Sequence, residues 1–122
     1  MAAFYIEVAG KKYELEYTRE AFAQFERMGF SINEFNDPHP YTVGPVLLYV
    51  GLRTHDMSMN PNLAGKIFDT AVDEFGVMEV YESLATEFLT AFTAEGGNRN
   101  KKSNKSLIVK PNMVKTTAKS ID

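Results

Sequence analysis

The sequence predicts a mainly α-helical protein with an N-terminal β-hairpin, an α+β domain of about five helices packed on the hairpin, and a flexible C-terminal tail. Three observations predict it. Residues 3–9 alternate apolar and polar side chains and run into Gly10, the period of a half-buried strand that turns back on itself. Residues 18–95 then carry apolar side chains at three- and four-residue spacing, punctuated by caps, glycines and prolines. Beyond Gly97 the composition changes to Asn, Lys, Ser and Thr with no aromatic residue. Such a segment buries too little apolar surface to offset its ordering entropy. The domain is therefore placed at 1–96 and the basic tail at 97–122.

In the hairpin, Gly10-Lys11 is expected to form a two-residue turn with glycine at the first central position, as type II′ requires. That register sets Val8 opposite Tyr13, Ile6 opposite Leu15 and Phe4 opposite Tyr17, all on one face. Tyr5, Glu7, Glu14 and Glu16 fall on the other, with Glu7 and Glu14 meeting as like charges.

Thr18 to Met28 reads as a helix capped by Thr18, with Phe22, Phe25 and Met28 at three-residue spacing and Gly29 at its left-handed end. Ser31 and Glu34 have the spacing of a capping box, and Phe30 and Phe35 that of a hydrophobic staple, for a short helix ending at Pro38 and Pro40. From about Val43 to Thr54 the chain is apolar nearly all round, the pattern of a central helix. Gly51 inside it weakens the helix by about 1 kcal/mol against alanine, and a close helix crossing is the expected reason.

Residues 55–59 form a connector. Asn60 and Pro61 supply an N-cap and a proline at the first helical position, and Leu63, Ile67, Phe68, Ala71 and Phe75 mark the stripe that follows. The last helix, Val77 to about Ala94, shows Val77, Val80, Tyr81, Leu84, Ala85, Phe88, Leu89 and Phe92 at helical spacing before Gly96-Gly97. The expected core centres on Leu47, Leu48, Leu52, Phe68, Ala71, Leu84, Phe88 and Phe92.

Composition narrows the function classes. With 122 residues the chain has one domain's worth of core, and with no cysteine it can use neither disulfides nor thiolate chemistry. The N-terminus does not read as a signal peptide, and the longest apolar run, residues 46–50, is too short to cross a bilayer. The net charge of −3 divides sharply. Residues 1–96 hold six Lys/Arg against fifteen Asp/Glu, giving −9, and residues 97–122 hold seven against one, giving +6. An acidic body is poorly suited to carrying a polyanion.

No residue reads as catalytic, cofactor-binding or metal-ligating. His39 stands between two prolines as a turn residue. His55-Asp56 has the form of a base with its orienting carboxylate, but no nucleophile is placed beside it. Asp69 and Asp73 share a helix face that reads as solvated, and the glycines follow no phosphate-cradling pattern. The methionines are more suggestive, since flexible thioethers suit surfaces that accept varied apolar partners. Five helices and one hairpin are not expected to bury Phe30, Phe35, Tyr41, Met57 and Met59 together, which makes these five the candidate client-binding residues. Leu107, Ile108 and Val109 are the candidate motif of the tail, a short strand or a linear docking segment.

The run Tyr13-Glu14-Leu15-Glu16-Tyr17-Thr18-Arg19-Glu20-Ala21-Phe22, then Phe25-Glu26-Arg27-Met28-Gly29-Phe30, resembles the opening of small tail assembly chaperones from long-tailed (siphovirus-type) bacteriophages or prophages of Gram-positive bacteria. Leu47-Leu48-Tyr49-Val50-Gly51-Leu52, leading into a connector and two helices, is similar to the same group, and the resemblance covers about residues 4–95. It implies a protein that binds the helical, apolar tape measure protein and recruits tail tube subunits during virion morphogenesis. It also implies action in the host cytoplasm and absence from the mature virion. It supplies no catalytic residue and no cofactor. Self-association fits the same picture, and no membrane partner is implied. Lys101-Lys102 would suit the slippery codons of a frameshifted longer product. The alternative is a small nucleic-acid-binding or regulatory protein that uses the basic tail, which the acidity of the body opposes.

Overall fold

The computed structural model describes residues 3–95. Two antiparallel strands, β1 (Phe4–Val8) and β2 (Lys11–Leu15), are followed by α1 (Arg19–Arg27), a 3₁₀ turn (Ile32–Asn36), α2 (Pro40–Arg53), α3 (Pro61–Phe75) and α4 (Val77–Glu95). The expected fold class is the observed one, with four α-helices and the 3₁₀ turn as the five helical elements among the described residues. Residues 97–122, including Leu107, Ile108 and Val109, lie outside the described residues.

The hairpin register differs from the expected one. Phe4 pairs with Leu15, Ile6 with Tyr13, Glu7 with Lys12 and Val8 with Lys11. The turn is Ala9-Gly10, with φ of 52° and 80°. Positive φ at both central positions is the type I′ geometry, whose twist matches that of the strands. Alanine there is strained, but its amide donates to Glu74 Oε1 of α3 at 2.8 Å, which ties the turn to the domain. The new register also sets Glu7 across from Lys12, removing the like-charge pair with Glu14. Because pairing shifts by two residues, parity survives. Phe4, Ile6, Val8 and Leu15 are buried together with Tyr17, which follows the strand, while Tyr13 is half-buried.

Helix α1 begins where Thr18 Oγ1 accepts from the Ala21 amide and ends in a Schellman motif. There Gly29, at φ 96°, donates to the Glu26 carbonyl, and Phe30 to the Phe25 carbonyl. Its continuation departs from expectation: Ser31 Oγ accepts from Asn33, not from Glu34, and a tighter 3₁₀ turn forms instead of a boxed α-helix. Phe30 and Phe35 both stack on Phe25, with ring centroids 5.5 and 6.1 Å away. The Phe25 ring thus anchors this turn from both sides of its cap.

Helix α2 starts three residues earlier than expected, at Pro40, whose fixed φ suits the first helical position. It is the centre of the fold, packing on α1, α3, α4 and β2, with Val43, Leu47 and Leu48 fully buried. Its two interior glycines have separate causes. A Cβ on Gly44 would collide with Cε1 of the Phe68 ring of α3 and lie 2.6 Å from its Cζ, so the close helix crossing is here. A Cβ on Gly51 would lie 2.9 Å from Leu15 Cδ2 and 3.1 Å from Tyr17 Cε1. Gly51 thus makes room for the exit of the hairpin and not for a helix, correcting the expectation. At the same place the Gly51 carbonyl, released near the helix end, accepts from Glu16 N at 3.2 Å.

Helix α3 begins at Asn60, whose Oδ1 accepts from Leu63 N at 2.8 Å, and ends at Gly76. The core residues stand as expected except Phe92, which is 39% exposed at the last turn of α4. Leu63, placed on the α3 stripe, is 43% exposed.

Candidate interaction surface

In a two-residue hairpin the pair flanking the turn exchanges hydrogen bonds, so Lys11, Tyr13 and Leu15 turn their backbone groups toward β1. Lys12, Glu14 and Glu16 turn theirs away. The Glu16 amide reaches Gly51, which closes the edge of β2 at that point. The outward amides and carbonyls of Lys12 and Glu14 have no backbone partner among the described residues.

A groove of about 340 Å³ lies along this open edge. Consecutive residues of β2 border it, so it meets the strand's edge and not one of its faces. Leu52, Met59, Leu63 and Ile67 supply its apolar side chains, and Lys11, Lys12, Glu14, His55 and Asp56 its polar ones. Leu52, Met59 and Ile67 are buried, while Leu63 remains accessible.

The groove's rim is held by the end of α2. Thr54 Oγ1 is 2.9 Å from the Glu16 carbonyl and 3.3 Å from that of Val50, and donates to them. His55 Nε2 lies 2.8 Å from Glu16 Oε1 and 3.7 Å from Glu14 Oε2. The His55-Asp56 pair that the sequence allows, though with no nucleophile beside it, is not made. Asp56 Oδ1 instead accepts from the Ser58 amide at 3.0 Å and the Ser58 hydroxyl at 2.5 Å. These bonds hold the Asp56 carboxyl below the usual range, an effect that favours the folded loop above that range and fades as pH falls.

The five candidate client-binding residues do not form one patch. Tyr41 and Met57 are open to solvent, at 67% and 70% exposure. Phe30 and Phe35 are half-buried against Phe25, and Met59 is buried beneath the groove. Sequence reasoning missed Lys12, Glu14 and Leu63. Leu63 looked like a core residue because it lies on the helical stripe, and the open edge could be read only with the true register.

Two buried tyrosines differ in how their hydroxyls are met. Tyr17 donates to the Leu47 carbonyl at 2.8 Å, and burial, with Glu87 nearby, pushes its pKa well up. Tyr81 Oη is buried without a hydrogen-bond partner among the described residues, and burial with Glu34 and Glu82 raises its pKa. Among the described residues, no group of three or more His, Asp or Glu side chains is placed to hold a metal ion. No helix among them is long and apolar enough to cross a membrane.

No curated protein and no solved structure matches the chain. Residues 1–109 match a family described as a domain of unknown function, DUF5055, a span that takes in every described element and continues past α4 through Val109. Since the match covers most of the 122 residues, the chain belongs to the DUF5055 family.

Proposed function

We propose that this chain is a tail assembly chaperone of long-tailed phages or prophages, acting in the host cytoplasm to hold apolar helices of a tape measure protein and to recruit tail tube subunits. The observation that carries the reading is the resemblance of residues 13–30 and 47–52 to such chaperones, together with exposed Tyr41 and Met57 on a net acidic body. Methionine and tyrosine adapt to varied apolar helices. The charge of −9 on residues 1–96 favours a protein client over a nucleic acid. In this reading the protein binds and releases and performs no catalysis.

Co-expression with the tape measure protein tests it. The client is expected to stay soluble and to elute with this chain on gel filtration, and Met57→Glu together with Tyr41→Glu should weaken the complex. A client that remains insoluble, with no complex recovered, would overturn the proposal.

A further inference from the structure

We propose that Leu107-Ile108-Val109 of the same chain adds to β2 as a short third strand, pairing with Lys12 and Glu14 and setting apolar side chains into the adjoining groove. An edge strand with unmet amides and carbonyls is a template for another strand. Here the template is short, because the Gly51 carbonyl already occupies the Glu16 amide. The free stretch from Lys12 to Glu14 suits a strand of about three residues, the length of the apolar run at 107–109. Alternation along such a strand turns Leu107 and Val109 to one side, where accessible Leu63 and the buried Leu52, Met59 and Ile67 lie.

Two further observations point to this occupant. The family match does not stop with the helices but runs to Val109, so the shared pattern of the family includes this segment. Residues 96–106 separate it from α4, and such a linker spans roughly 35 Å when extended, more than the radius of so small a domain. The inference is independent of the chaperone reading.

Amide hydrogen exchange on the full chain tests it, comparing the wild type with a variant carrying Leu107→Ser, Ile108→Ser and Val109→Ser. The Lys12 and Glu14 amides, which nothing in the hairpin protects, are expected to exchange roughly tenfold slower in the wild type. The Ile6 and Tyr13 amides, bonded within the hairpin, should be unchanged and report an intact fold. Leu63→Glu, made from the groove side, should remove the same protection. Equal exchange of Lys12 and Glu14 in wild type and triple variant would overturn the proposal. Protection that grows with protein concentration alongside a dimer in sedimentation would overturn its intramolecular form, since a second copy would then supply the strand.

Discussion

Among the described residues, two of the places where apolar surface stays open are built differently. At the aromatic end Phe22, Phe25, Phe30, Phe35, Phe88 and Phe92 form ring pairs with centroids 4.8 to 6.4 Å apart. Its most exposed ring, Phe92, already has Phe22 and Phe88 as partners. Among the described residues the groove beside β2 contains no ring pair, and its accessible Leu63 shares the groove with strand amides that have no backbone partner among those residues. The difference teaches that exposed apolar area alone does not make a docking surface. Where the aromatic side chains satisfy one another the surface is the edge of a core, whereas apolar side chains beside unmatched hydrogen-bonding groups leave two needs for one partner to meet.

The comparison is broken most severely at Phe88, whose ring meets Tyr17, Phe22, Phe25, Phe35 and Phe92. Phe88→Ala should cost about 3–5 kcal/mol in denaturant unfolding, and Phe92→Ala about 1 kcal/mol, the size of the ring pairs it ends. Equal losses at the two positions would show that the cluster is not centred on Phe88.

The buried tyrosines sharpen the point about unmet groups. Tyr17→Phe removes the hydrogen bond to the Leu47 carbonyl and should lower stability by about 1 kcal/mol. Tyr81→Phe removes a buried hydroxyl that has no partner among the described residues, and should leave stability unchanged or raised. A loss at Tyr81 as large as that at Tyr17 would mean that its hydroxyl finds a partner in solution.

The smallest effect is expected in the groove. Leu63→Ser should change stability by no more than about 0.5 kcal/mol, the range of surface substitutions. A loss above about 2 kcal/mol would place Leu63 in the core and close the groove.

Much of the fold was legible in the sequence because local rules decide it. Thr18, Asn60 and Gly29 cap helices by bonds within one turn, and helical spacing identified Leu47, Leu48, Phe68, Leu84 and Phe88 as core. Period-two alternation named the buried face of the hairpin even with the wrong register, since a shift of two residues keeps parity. The candidate surface was harder to read. Met57 and Met59, two residues apart in one connector, have equal sequence claims to exposure, yet one is open and the other buried.

By itself the sequence determined the order of the elements, the ends of α1, α3 and α4, the core faces and the opposition of an acidic body to a basic C-terminal segment. These follow from spacing, caps and composition, which act over a few residues. Only the tertiary structure decided that Ala9-Gly10 makes the turn, where Glu74 of a distant helix receives the Ala9 amide. It also decided that Gly44 admits Phe68 while Gly51 admits the hairpin, and that His55 faces Glu16. Each of these depends on which backbone and side-chain groups residues far apart in the chain present to one another. Contacts of that kind leave no period in the sequence.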